Sequence, residues 1–340
     1  MHRKFLPTFA LMLGLLWAAA VQAGGYKAEY RLSTVLGPAF PWGKAGERWA
    51  ELVRQKTDGR IKIRVYPGAS LVGGDQTREF ASLRDGIIDL AIGSSINWSP
   101  QVKQLNLFSL PFLIPDDKAL DAVLKGEVGR EIFSLLEQQG VVPLAFGENG
   151  FRELSNSRQA VKAPGDLKGM KIRVVGSPIF VDAFAALGAT PVQIGWADAQ
   201  SALVTKAVDG QENPVPVFNA AKLYSLGQNH LTLWGYMTDP LIFVVNRQVW
   251  AGWSDSDRQA VREAAEQAAA ENLMLARRGL PPGEASLLRE LEKQGVVVTR
   301  LTPEQRQAFK AATRAVFDKW SATVGKDLVR KAEAAIAGAR

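Results

Sequence analysis

Residues 166–216 alternate two periodicities in a way that few folds accommodate. Residues 171–175 read as a strand in which Ile172 and Val174 alternate with Lys171 and Arg173, so one face is apolar and the other cationic. Gly176-Ser177-Pro178 turns the chain, 179–187 take helical spacing, 190–194 return to a strand, and 197–208 form a helix before a polar turn. Strand, helix, strand, helix is the rhythm of a largely parallel sheet, because parallel neighbours need a crossover between them. Arg173 then lies at the carboxyl end of a strand, one turn ahead of a helix, where open α/β sheets place ligand-contacting groups. Taken alone, a strand-edge arginine is more often a solvated cation. Both readings stand at this point.

The same rhythm continues outside that stretch. Residues 26–35 read as a strand, and 42–56 as a helix with Ala45, Trp49, Leu52 and Val53 on one stripe. Ile61, Ile63 and Val65 alternate as a second strand, followed by a loop at 68–74, a helix at 76–84 closed by Gly86, and a strand at 88–92. Residues 116–139 are helical and 141–146 return a strand that runs into Gly147-Glu148-Asn149-Gly150-Phe151-Arg152, where the chain is expected to cross to a second lobe. The apolar runs 231–234 and 241–245 are expected to cross back. A helix-prone segment at 247–280 is broken by Pro281-Pro282, and a helix at 284–294, a strand at 296–301 and a C-terminal helix finish the chain. Thr302 as N-cap with Pro303 at the first helical position is a sound start signal for that last helix.

With 340 residues the chain exceeds one ordinary core, so two lobes are expected. The first 23 residues stand apart: His2, Arg3 and Lys4, an apolar run at 5–21, and small residues around Val21-Gln22-Ala23 have the layout of a cleaved secretory signal peptide. Without Arg3 and Lys4, the 41 Lys and Arg become 39 against 34 Asp and Glu, a net charge of +5. No dense basic tract accompanies this surplus, so nucleic-acid binding is not expected, whereas gathering anionic solutes suits it. The chain has no Cys, and its 2 His are reduced to His230 once the leader is removed, which argues against Cys/His metal sites and a Cys nucleophile. Neither a P-loop, a G-x-G-x-x-G after a strand, nor a paired-carboxylate motif is visible, so no cofactor is expected.

Two runs, Asp166-Leu167-Lys168-Gly169-Met170-Lys171-Ile172-Arg173-Val174 and Ala207-Val208-Asp209-Gly210-Gln211-Glu212-Asn213-Pro214, resemble signatures of the extracytoplasmic solute receptors of TRAP transporters. Tyr66-Pro67 with Leu71 and Gly73, Leu83-Arg84-Asp85-Gly86 with Asp89, and Leu110-Pro111-Phe112-Leu113 extend the resemblance over nearly the whole mature chain. It implies a two-lobed α/β binding protein of the Venus-flytrap kind, with hinge strands and a long helix linking the lobes. The lobes are expected at 24–148 plus about 239–280, and at 149–238 plus about 281–340. The implied function is capture of a small organic acid in the periplasm and its delivery to a permease of small and large integral subunits, without catalysis. Most relatives of this kind are monomers, and a monomer is expected here.

By the same resemblance Arg173 becomes a carboxylate clamp, since a guanidinium grips a carboxylate through two parallel hydrogen bonds. Arg152, in Gly150-Phe151-Arg152, matches a second ligand-facing arginine; read alone it is an ordinary surface cation. Asn213 matches a ligand-contacting asparagine, although Asn before Pro is also a common turn-former. Trp196 is placed against the ligand's carbon skeleton, with core packing as the alternative. Phe40, Trp42, Gln76, Ser95, Asn97 and Trp98 lie in loops expected to face the cleft from the first lobe, and Tyr236 and Asp239 are expected on the hinge side. Asp239 would repel an anion unless it pairs with a cation or reads a hydroxyl. Arg158, Glu47 and Glu51 read as solvated. An ABC-type or sensor-coupled binding protein is the alternative, which a neighbouring ATPase gene would favour; an exported hydrolase is a third, which ligand turnover would reveal.

Overall fold

Eleven strands gather into two sheets in the computed structural model, which describes residues 25–281 and 284–339. The leader expected at 1–23 lies outside the described residues. In chain order the strands are β1 (Tyr30–Ser33), β2 (Ile63–Tyr66), β3 (Leu90–Ser94), β4 (Val141–Phe151), β5 (Glu153–Asn156) and β6 (Lys171–Val174). They continue as β7 (Thr190–Gln193), β8 (Gly210–Asn213), β9 (His230–Leu233), β10 (Thr238–Asn246) and β11 (Val297–Arg300). The first sheet has the order β2-β1-β3-β10-β4 and the second β11-β9-β5-β8-β6-β7. In the first, β1 runs parallel to β2 and β3, while β10 is antiparallel to β3 and β4. In the second, β6 is parallel to β7 and β8, and β5 is antiparallel to β8 and β9.

Each sheet lies in its own lobe, and the chain passes between them where strands meet end to end. Arg152 is the single residue between β4 of the first sheet and β5 of the second. The return passes through residues 234–237, between β9 and β10. These crossings are stitched together: Arg152 donates its backbone N–H to the Met237 carbonyl at 3.0 Å, and the Trp234 indole donates to the Arg152 carbonyl at 3.1 Å. Glu153 accepts from the backbone N–H groups of Trp234 and Gly235 at 2.7 and 2.9 Å. A third connection follows the Asp255–Arg277 helix, whose 23 residues extend about 34 Å along the first lobe.

The first lobe's core forms where the Pro41–Lys56 helix lays its stripe of Ala45, Trp49, Leu52 and Val53 between the sheet and the long helix. Trp49 meets Phe243 of β10 edge-on at 5.3 Å and donates its indole N–H to the Val261 carbonyl. Burying side chains of this size is worth about 1.5–3 kcal/mol each. The second lobe has an outer cluster of its own, in which Leu203, Phe218 and Leu231 pack with Leu288, Leu291 and Val296.

Three segments expected as single helices are divided. Gly126 separates the helices Asp117–Lys125 and Glu127–Gln138, and Gly252-Trp253-Ser254 separates Arg247–Ala251 from Asp255–Arg277. The C-terminal helix becomes three: Pro303–Ala312, Arg314–Val324 and Lys326–Gly338. Its start is as read, with Gln305 N–H donating to Thr302 Oγ1 at 3.2 Å and Thr302 N–H to Gln305 Oε1 at 2.9 Å.

These last helices depart from the expectation that 281–340 belongs with the second lobe. The Ser286–Lys293 helix and β11 do join the second sheet. The Lys326–Gly338 helix instead packs against Asp117–Lys125 and Glu127–Gln138 beside the first sheet. Its buried Leu328, Val329, Ala332 and Ile336 form one stripe, and Lys331 pairs with Glu127 and Glu131 at 2.9 and 2.8 Å. Between the lobes, Lys319 and Trp320 both donate to Asp182, which lies on the Pro178–Ala186 helix of the second lobe.

Candidate functional site

The crevice between the sheets is closed. From the first lobe, the Gln76 side-chain oxygen Oε1 accepts the backbone N–H of Trp196 from the second at 3.0 Å. The hydroxyls of Ser99 and Ser177 lie 2.9 Å apart across the mouth, and Phe40 meets Trp196 edge-on at 6.2 Å. Behind this rim is a cavity of about 20 Å³ lined from both sides. That is room for about one water, so a ligand takes its place only with the two walls further apart.

Arg173 forms part of the lining and is only 1 % exposed. β6 is an inner strand between β7 and β8, and its Ile172, Arg173 and Val174 are buried, while Lys171 at its start stays in solvent. The Arg173 Nε–H donates to the Ile194 carbonyl at 2.8 Å, and its guanidinium lies over the Trp196 ring at 5.9 Å. Its Nη1 is buried with no hydrogen-bond partner, and among the described residues no carboxylate pairs with it. Desolvation pulls its pKa down to about 10, with Glu212 opposing and the Arg152 cation adding to the shift. Such a group is costly to bury and is poised to accept an anion.

Arg152 also lines the cavity, but its surroundings differ. Its Nε and Nη2 grip the Glu212 carboxylate side-on, Nη2 also reaches Asn213 Oδ1 at 3.2 Å, and Nη1 lies 3.3 Å from Asp239 Oδ2. Burial works against this cation, yet the two carboxylates raise its pKa above the ordinary arginine value. Asp239 further accepts from Ser94 at 2.5 Å and Asn149 at 2.8 Å. Burial pushes the Asp239 carboxyl upward, with Arg152 and these donors opposing. The pairing with a cation that would permit Asp239 in an anion site is therefore present.

Trp42, Gln76, Asn97, Trp196 and Asn213 complete the set of expected residues that reach the cavity. Trp42 is anchored by its indole N–H to the Ile92 carbonyl at 2.8 Å, Gln76 donates to Asn97 Oδ1 at 2.6 Å, and Asn213 donates to Gln211 Oε1 at 2.5 Å. Four expected residues are not in the lining. Trp98 packs into the first lobe instead, its N–H on Glu79 at 3.1 Å and its ring over Gly93, where a Cβ would lie 1.7 Å from the indole. Ser95 is buried beside Asp239, Phe40 stays at the rim, and Tyr236 backs Arg152 with its hydroxyl 3.3 Å from Glu212. Arg158, Glu47 and Glu51 are solvent-facing as read. Val35, Leu36, Asn149 and Val175 are lining residues that sequence reasoning missed. Their signal was position: Val35, Leu36 and Val175 each follow a strand's carboxyl end.

The family model described as bacterial extracellular solute-binding protein, family 7, matches residues 32–323. The chain is 61% identical to a TRAP periplasmic solute-binding protein from Ralstonia eutropha H16, with a TM-score of 0.91, covering 92% of this chain and 100% of that one. That crystal structure holds (S)-2-hydroxy-2-methyl-3-oxobutanoate, (S)-2-acetolactate. The chain is 32% identical to the 2,3-diketo-L-gulonate-binding periplasmic protein of Escherichia coli (strain K12), over 79% of each. It is 28% identical to the C4-dicarboxylate-binding periplasmic protein of Rhodobacter capsulatus, over 98% of this chain and 99% of that one.

Proposed function

The chain belongs to the family 7 bacterial extracellular solute-binding proteins, receptors of TRAP-type uptake systems for small organic acids, and on that premise we propose that Arg173 is its carboxylate clamp. The observation that carries this is the buried, unpartnered Nη1 of Arg173 on the wall of a cavity shared by both lobes. A ligand carboxylate on that guanidinium would replace lost hydration with charge-assisted hydrogen bonds. Asn213, Gln76 and Asn97 would read neutral oxygens, with Trp42 and Trp196 against carbon. Closure would be favoured by ligand, because Trp196 and Gln76 come together only when the lobes meet.

The ligand class we propose is a small hydroxy or oxo monocarboxylate of the 2-acetolactate kind, supported by the lone unpartnered guanidinium among amide side chains in the lining and by the likeness to the Ralstonia eutropha receptor. The remainder of the reading is export with loss of residues 1–23, and delivery of the closed receptor to a permease of small and large membrane subunits. The family consists of receptors, and we assign this chain no turnover. Calorimetry on wild type and Arg173→Ala tests the clamp: the variant should lose about 2–5 kcal/mol of binding free energy. Unchanged affinity would remove the assignment.

A further inference from the structure

We infer that Asp239 and Glu212 set the charge of the acid this receptor accepts, by holding Arg152 neutralised so that the cavity offers a single free cation. The inference rests on Arg173 as the clamp. Two arginines line the cavity, and a count of cations alone would suggest a seat for two carboxylates. The contacts say otherwise. Arg152 gives Nε and Nη2 to Glu212 and turns Nη1 towards Asp239, and these three side chains are each 2 % exposed or less. Only Arg173 among the described lining residues is a cation without a carboxylate.

Asp239 acts directly, since it lines the cavity. A second carboxylate entering there would face its like charge at short range in a poorly screened site. Glu212 acts from behind, as the side-on partner that fixes the Arg152 fork. The remaining polar lining is amide: Gln76, Asn97, Asn149 and Asn213. Amides satisfy hydroxyl and carbonyl oxygens and leave an added anion uncompensated. Asp239 and Glu212 are thus specificity-determining residues, and the accepted ligand carries one negative charge.

The test compares two ligands of the same shape, 2-hydroxy-2-methyl-3-oxobutanoate and 2-hydroxy-2-methylpropanedioate, which differ by a methyl group in place of a carboxylate oxygen. Calorimetry on wild type should show the dianion binding at least about tenfold more weakly. Asp239→Asn should narrow that ratio by about tenfold, and Glu212→Gln should narrow it in the same direction by freeing Arg152. Should either variant fail to fold, the other and the wild-type ratio still decide. Equal wild-type affinities, with Arg173→Ala abolishing both, overturn the inference and leave the clamp standing. Retained binding of the monoanion in Arg173→Ala brings down the clamp itself. Folded variants that leave the ratio unchanged also overturn it, and binding of neither ligand by wild type removes the ligand class and the inference together.

Discussion

Ser99 and Ser177 face each other across the mouth of the cleft with their hydroxyl oxygens 2.9 Å apart, one from each lobe and both buried. Because the chain has no Cys, replacing both serines by Cys offers one defined disulfide. Oxidation of Ser99→Cys/Ser177→Cys after loading should trap the ligand, slowing its release by at least about a hundredfold, with reductant restoring wild-type release. Stopped-flow release assays read this directly. Equal release rates in the oxidised and reduced protein would mean that the rim does not gate the cavity.

Gly176 approaches Thr77 of the opposite lobe so closely that an added Cβ would lie 2.7 Å from Thr77 Cγ2. Gly176→Ala should therefore hinder closure with little effect on either lobe, weakening binding by about 1–3 kcal/mol. Thr77→Ser deletes the offending methyl and should recover most of the loss in the double variant. Calorimetry of the four proteins as a cycle tests the contact, and additive losses would refute it.

Removing an uncompensated buried charge should stabilise the empty protein. Arg173→Met is expected to raise the unfolding free energy by about 1–3 kcal/mol, since an apolar chain of similar length avoids the desolvation penalty. The same variant should show no ligand-induced rise in melting temperature. Thermal unfolding with and without organic acid separates the effects, and a less stable ligand-free variant would contradict this account.

Glu79 links acidity to stability. Burial raises its carboxyl from 4.5 to about 7, opposed by hydrogen bonds from Ser33 and Trp98. The folded state thus holds the proton more tightly than the unfolded chain. The stability this confers is complete below about pH 4.5 and disappears as pH rises through 7. Glu79→Gln has no proton to lose, so the stability difference between wild type and variant should shift by up to about 3 kcal/mol against wild type between about pH 5 and about pH 8.5. Urea unfolding at the two pH values measures it; a constant difference would show that the group does not titrate in this range.

Much of the architecture was legible because strands and helices alternate with their proper periods, and the 171–208 segment folds as its pattern dictates. Arg173 was harder. Alternation placed it with Lys171 on a polar face, but β6 is an inner strand of its sheet and the lining of the first lobe closes over Arg173, which local periodicity does not encode. The grip of Arg152 on Glu212 joins residues 60 apart through the pairing of β5 with β8, so neither residue announces the other. Trp98 misled because a polar loop with an aromatic suits a pocket equally well, and only the bare backbone of Gly93 reveals where its ring fits. The C-terminal helices were read as one because helix spacing persists through Thr313 and Gly325, while the turns there depend on which surface each segment covers.

The residue joining β4 to β5 also holds acidic partners on both strand systems. Mechanical pivot and buried ion cluster therefore coincide, and rotation of the halves leaves that cluster near its own axis. The work of opening then falls on the few contacts furthest from the fulcrum, where leverage is greatest. Turning about that residue would part the lips while leaving Arg152 within reach of Glu212 and Asp239.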